Sequence, residues 1–261
     1  MKIKIISKKG EKLRFLLEGT TPAFANSLRR IMIAEVPTLA IDVIDFNDNS
    51  SALFDEVIAH RLGMIPLDFD LSKFNFTEFC KCGGKGCPAC QVFFALEKTG
   101  PAMVYAGDLK STNRDVKPVS PDFPIVKLLE NQHVKLGAIA KLGKGKEHAK
   151  WQAANVSYQY LPTIEIKHAK DLKKIEKACP KGVLGIRNGK LVLIDPFNCD
   201  ECKLCEEVSD KAIELKGDPE KILFTVESIS GLDPADIVKE SVKILQEKAQ
   251  EFRDQLNVLL E

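Results

Sequence analysis

Eight cysteines carry most of the chemistry that this chain of 261 residues offers, and they fall in two groups. The first group lies in CKCGGKGCPAC, where Cys80, Cys82, Cys87 and Cys90 occupy a run of eleven residues. Two pairs of thiolates separated by a glycine-rich turn can converge on one tetrahedral ion, each sulfur about 2.3 Å from zinc. Gly83, Gly84 and Gly86 permit the tight backbone that such convergence requires. Four thiolates leave no open coordination position, so the expected role is structural, one Zn2+ stapling a loop, with disulfide pairing as the alternative.

The second group is Cys179, followed by Pro180, and then Cys199, Cys202 and Cys205 in CDECKLC. In the bacterial ferredoxin run C-x2-C-x2-C-x3-C-P, the fourth cysteine ligates the other cluster. Here the triplet is intact and Cys179-Pro180 is what the other half would donate, which makes one four-thiolate set for a single [4Fe–4S] cluster. The partner set is missing. Ser209 stands where the second run needs its fourth cysteine, and Ala169, Leu172 and Ile175 stand where the first run needs three. Between the two halves, KGVLGIRNGKLVLID reads as a hairpin with an Asn188-Gly189 turn, like the ribbon of a ferredoxin unit. Zinc could occupy the same thiolates, or oxidation could pair them.

Catalytic motifs are absent from the sequence. GAIAKLGKG, the nearest approach to a phosphate loop, has five residues between Gly137 and Gly143 where four are needed, and no Ser or Thr follows Lys144. GxSxG, HExxH and GxGxxG do not occur, and His60, His133, His148 and His168 form no ligand spacing. A net charge of +1, from 38 basic and 37 acidic residues, excludes a general polyanion binder, and the single Trp151 makes no stacking platform. No sequence-specific DNA contact is expected. The amino terminus alternates apolar and charged residues, and no stretch approaches the roughly 20 apolar residues of a membrane span. A soluble, cytoplasmic protein without a cleaved signal is expected.

The elements that must position these groups read as follows. Residues 2–17 form a hairpin turning at Lys9-Gly10, with Ile3, Ile5, Leu13, Phe15 and Leu17 at period two. Thr21 caps a helix that starts at Pro22, carries Phe24, Leu28 and Ile31 on one face and stops at Pro37. A strand over Leu39–Phe46 precedes a helix over Ser51–Leu62. Strands follow within 92–106 and 124–142, separated by a proline-rich loop from Ser111 to Pro124. The charged, glycine-rich GKGKEHAK is a candidate functional loop. A last strand over Lys221–Ser228 leads to a helix of about 25 residues opened by Pro234. On it Val238, Val242, Leu245, Ala249, Phe252, Leu256 and Leu259 recur at spacings of four and three, a seam made to face another helix.

TTPAFANSLRRIMIAEVPTLAIDVI, AHRLGMIPLDF, GKGKEHAKWQ, a degenerate ferredoxin insert and a long terminal helix, in that order, resemble the archaeal DNA-directed RNA polymerase subunit 3 family. The eukaryotic third subunits and the bacterial alpha amino-terminal domain share only part of that order. The resemblance implies an α+β fold in three parts. A discontinuous dimerisation domain takes residues 1–40, 156–167 and 218–261, an inserted mixed α/β domain takes 41–155 with its zinc-type loop at 80–90, and a ferredoxin-like domain takes 168–217. It implies a non-catalytic subunit that pairs with the small subunit L (subunit 11) to form the platform for the large catalytic subunits. Phe24, Leu28, Ile31, Val238, Val242, Leu245, Phe252, Leu256 and Leu259 are then heterodimer residues, and Lys146, Glu147, His148 and Lys150 contact a large subunit. Two other readings compete: an iron–sulfur electron carrier or oxidoreductase subunit, and a zinc-bearing nucleic-acid binder. The first leaves most of the chain unexplained, and the second lacks a basic aromatic stripe.

Overall fold

The computed structural model describes residues 1–166 and 171–260. His168, Ala169 and the expected start of the ferredoxin-like segment at 168 lie outside the described residues. Among the described residues there are five α-helices: α1 (Pro22–Ala34), α2 (Asp55–Gly63), α3 (Leu172–Ala178), α4 (Leu204–Val208) and α5 (Pro234–Leu260). The fold is mixed α/β, and it divides into two compact units, residues 1–29 with 156–226 and residues 30–155 with 227–261.

The first unit is built on a four-stranded sheet ordered Lys2–Lys9, Lys12–Glu18, Ile213–Ser228, Ala154–Ile166. Its opening hairpin is the expected one, turning at Gly10 with φ +52° and pairing Ile5 with Phe15. Leu13, Phe15 and Leu17 are buried, and the Phe15 and Phe224 rings stack with centroids 5.1 Å apart. Ile3 and Ile5, on the edge strand, stay exposed. Thr21 caps α1 as expected, its Oγ1 accepting from Phe24 N at 3.3 Å. The strand Ile213–Ser228 begins well before the expected Lys221. Gly217-Asp218-Pro219 has the composition of a turn, but the Asp218 side chain accepts from Glu220 N at 3.0 Å and closes the irregularity inside the strand. Gly217 also passes so close to Tyr160 that a Cβ there would sit 2.7 Å from the Tyr160 Cβ. The strand therefore continues where local composition signals a stop.

Residues 171–212 pack α3 and α4 against an antiparallel hairpin, Leu184–Arg187 with Lys190–Leu193, whose turn residues Asn188 and Gly189 both have positive φ. This is the predicted Asn-Gly turn.

The second unit is built on the antiparallel sheet Pro37–Asn49, His133–Lys144, Gln91–Thr99, Lys110–Ser111. Its core joins Leu39 and Ile41 to Phe94, Leu96, Leu136 and Ala138, and it receives Ile58 and Leu62 from α2. That helix begins at Asp55 and not at Ser51. The Asn49 and Ser51 side chains take over the backbone groups of 51–53, with Ser51 N bonding Asn49 Oδ1 at 3.1 Å and Leu53 N bonding Ser51 Oγ at 3.2 Å. Phe54, just before the helix, is 78% exposed as a result.

The loop after the strand His133–Lys144 is held by three close contacts. Gly143 lies under the Trp151 ring, where an added Cβ would come within 2.3 Å. Trp151 Nε1 donates to Lys141 O at 3.1 Å, and Lys146 N donates to Ala34 O at 2.8 Å. Gly143→Ala should therefore force the indole off the strand and lower stability by about 1–3 kcal/mol, a loss read as a fall of several degrees in Tm. An unchanged Tm would mean that the indole does not need this contact.

Candidate functional site

No array of nucleophile, base and oxyanion donors presents itself among the described residues, and the chemistry of this chain lies in its sulfurs and its surfaces. Cys80, Cys82, Cys87 and Cys90 converge, with all four Sγ atoms within 4.8 Å of one another. Cys80 to Cys87 is 3.6 Å, Cys82 to Cys90 is 3.7 Å and Cys87 to Cys90 is 3.8 Å. A tetrahedron of thiolates around an ion at about 2.3 Å has edges of about 3.8 Å, whereas an S–S bond is about 2.05 Å. The set has the dimensions of a metal site and not of two disulfides. Gly83, Gly84 and Gly86 all adopt positive φ, as the turn between the pairs requires. As free thiols Cys82 and Cys90 titrate far apart. Burial opposes ionisation of Cys82, yet hydrogen bonds from Cys80 and the Gly86 N–H bring it down to about 7, while burial pushes Cys90 up to about 12. A bound cation would ionise the whole set.

Cys179, Cys199, Cys202 and Cys205 line one recess, together with Val183, Leu193 and Leu215. They do not form a tight group like the first set. Glu201 and Lys203, which alternate with the last three cysteines, both carry positive φ. Such strain in residues with side chains gathers at ligand-holding loops. The loop is tied to the sheet of its own unit. Arg14 donates to the Phe197 carbonyl and, at 3.2 Å, to Asn198 Oδ1, and Gln159 Nε2 donates to Cys199 O at 2.9 Å. Burial raises the Cys199 and Cys205 thiols above their ordinary range.

The predicted seam is on α5. Its inner face is Pro234, Ile237 and Ser241, a second stripe that the heptad reading misses because Ser241 interrupts it. Val238 and Leu245 are half-buried, Val242 is exposed, and every residue from Gln246 to Leu260 is exposed, with Phe252 at 69%, Leu256 at 43% and Leu259 at 82%. On α1, Leu28 and Ile31 are buried within the chain and Phe24 is half-buried.

Lys146, Glu147 and His148 are exposed at the turn of the loop over 145–152. Lys150 is not free beside them. Its ammonium pairs with Asp42, lies 4.4 Å from the centre of the Trp151 ring and leaves the side chain only 13% exposed. Lys141 also pairs with Asp42, at 2.7 Å. Burial works to raise the Asp42 carboxyl, but the two lysines outweigh it and hold it below its ordinary value. Motif reading misses Asp42, although a carboxylate inside the apolar run LAIDVI is a signal for a buried cation partner.

The RNA polymerase Rpb3/Rpb11 dimerisation domain matches residues 14–249. DNA-directed RNA polymerase subunit Rpo3 of Methanosphaera stadtmanae is 40% identical over 98% of this chain and 99% of its own length. The Rpo3 proteins of Pyrococcus horikoshii and Archaeoglobus fulgidus are 41% and 39% identical over 99% and 96% of this chain, and over 99% and 96% of their own lengths. The chain belongs to the archaeal RNA polymerase subunit 3 family. The likeness of this subunit 3 chain runs through both compact units, so the reading as an iron–sulfur electron carrier has no support. Among the described residues of this family member, no helix is long and apolar enough to cross a membrane.

The ion triad at the loop makes a pH-dependent prediction. Because the folded Asp42 carboxyl titrates below its ordinary value of 3.8, its contribution to stability is fully present above that pH and is lost as pH falls through the folded value. Asp42→Asn should cost about 1–3 kcal/mol at pH 7, since it leaves Lys150 largely buried without a counter-charge. The deficit should close as pH drops below 4 in thermal melts from pH 2 to 7; parallel curves would show that Asp42 is not what the lysines stabilise.

Proposed function

We propose that this chain, a non-catalytic assembly subunit of DNA-dependent RNA polymerase, pairs through the outer seam of α5 with the small subunit L (subunit 11), and that the heterodimer is the platform on which the large subunits assemble in the cytoplasm. The observation that carries the reading is the exposure of Phe252, Leu256 and Leu259 on the free part of α5. Three large apolar side chains on one helical stripe favour a partner over water, because each gains roughly 1.5–3 kcal/mol on burial. In this reading residues 1–40, 156–167 and 218–261 act as the dimerisation domain, 41–155 as an inserted domain and 168–217 as the ferredoxin-like domain. Since Leu28 and Ile31 are already buried, α1 serves the interface as a support, with Phe24 as its contact.

Lys146, Glu147 and His148 contact a large subunit, while Lys150 positions the loop from beneath through Asp42. Cys80, Cys82, Cys87 and Cys90 hold one structural Zn2+, which their sulfur spacing suits. Cys179, Cys199, Cys202 and Cys205 hold one [4Fe–4S] cluster, which adds order to a segment with a small core of its own.

Two experiments test these assignments. Phe252→Asp with Leu256→Asp should weaken binding of subunit L at least 100-fold in titration calorimetry and leave the Tm of the isolated chain unchanged, because both residues are exposed. Undiminished binding would overturn the seam. Cys87→Ser should reduce zinc bound per chain from about one to well below one by elemental analysis, with faster proteolysis confined to residues 76–91. Full zinc retention in this variant would remove the site.

A further inference from the structure

The segment between Cys82 and Cys87 is the part of the four-cysteine site with the most backbone freedom to lose. It holds Gly83, Gly84 and Gly86 at φ +65°, +81° and +86°, and glycine gives up more freedom on ordering than any other residue. A Cβ at Gly83 or Gly84 would meet nothing within 4 Å. Gly86 differs. A Cβ there would fall 2.3 Å from Gln91 Nε2 and 2.5 Å from Gln91 Cδ and Oε1, so the Gln91 carboxamide fills the space beside the Gly86 α-carbon. The contact is with carbon, which makes it one of shape and not of polarity.

The peptide that Gln91 rests against serves the sulfurs. The Gly86 N–H donates to Cys82, and the next N–H along the chain, that of Cys87, donates to Cys90 Sγ at 3.3 Å. Bonds of this kind orient a metal ligand and are part of what sets its affinity. Two of the four sulfurs therefore depend on how residues 86 and 87 are held. Gln91 is itself well anchored, since it opens the strand Gln91–Thr99, its N–H donates to Cys87 O at 3.0 Å, and in the sheet it stands opposite Lys141. Lys141 is fixed in turn. Its ammonium pairs with Asp42 at 2.7 Å, and its carbonyl accepts from Trp151 Nε1 at 3.1 Å.

We propose that Gln91 is a positioning residue for the four-cysteine site, and that its carboxamide buttresses Gly86 so that the peptide serving Cys82 and Cys90 has its shape before the ion arrives. The inference rests on the reading of Cys80, Cys82, Cys87 and Cys90 as one Zn2+ site. It adds to that site a residue that is not a ligand and that cysteine spacing does not reveal.

The test is the zinc affinity of the full chain, measured by chelator competition, with zinc per chain counted by elemental analysis. Gln91→Ala should weaken affinity about 10–100-fold, yet still bind about one zinc per chain at saturation because all four sulfurs remain. Gln91→Met, which keeps the length and bulk of the side chain, should stay within about threefold of the parent chain. Gly86→Ala should also weaken binding, because the new Cβ displaces the carboxamide and a side chain at φ +86° is strained. In the Gln91→Ala background only the strain is left, so Gly86→Ala should there cost at least about threefold less affinity than in the parent. The metal-free Gln91→Ala chain should melt at the same temperature as the metal-free parent. Unchanged affinity in Gln91→Ala, loss of affinity in Gln91→Met, or losses that simply add in the double variant would each overturn the role of Gln91 while leaving the zinc site in place. A lower metal-free Tm in Gln91→Ala would also overturn it, by showing damage to the sheet and not to the loop. A parent chain that binds no zinc would overturn the site itself, and the inference with it.

Discussion

Apolar side chains that a folded chain cannot bury within itself are the constraint from which the rest of this molecule follows. Helix α5 buries Ile237 and Ser241 and then runs on with Phe252, Leu256 and Leu259 in water. A stripe of that kind favours aggregation unless a fixed partner covers it. The remainder of the structure answers to this need for a partner: a rigid sheet in each unit, no catalytic array among the described residues, and chemistry confined to groups that hold loops in place. A chain made for assembly needs surfaces that keep their shape before the partner arrives, and its functional residues act by being held still.

The two cysteine sets meet that need at different scales. The first set draws its sulfurs to 3.6–3.8 Å, a separation matched to one ion, through left-handed glycines that carry no side chains to clash. The second lines a recess and reaches its shape with positive φ at Glu201 and Lys203, where side chains make that backbone costly. Segments this short bury little apolar surface to order them. Arg14 and Gln159 tie the second set to the sheet of the first unit by gripping the backbone of 197–199.

The loop 143–152 reaches a fixed shape without a metal. Absent side chains at Gly143 and Gly145 let Trp151 and the Ile33 carbonyl come closer than any Cβ would allow. Asp42 then holds Lys141 and Lys150 under the loop. Lys146, Glu147 and His148 project from this frame and stay exposed. Lys150, which looks like a fourth contact when the motif is read as a string, belongs to the frame.

Much of this was legible in the amino-acid sequence, because the signals were local. The Lys9-Gly10 and Asn188-Gly189 turns, the Thr21-Pro22 cap, the cysteine spacing and the 27-residue helix after Gly231 each depend on neighbours within a few residues. Tertiary structure decided the rest, wherever a distant group overrode the local preference. The strand through Gly217-Asp218-Pro219 persists because Tyr160 and the sheet hold it, and α2 starts late because Asn49 and Ser51 take over its first backbone donors. Which face of α5 is inner, that Leu28 and Ile31 are buried, and that Asp42 meets Lys150 are likewise matters of packing between residues far apart in sequence. Periodicity shows that a helix has an apolar stripe; only burial decides which part of the stripe the chain keeps for itself and which it leaves for a partner.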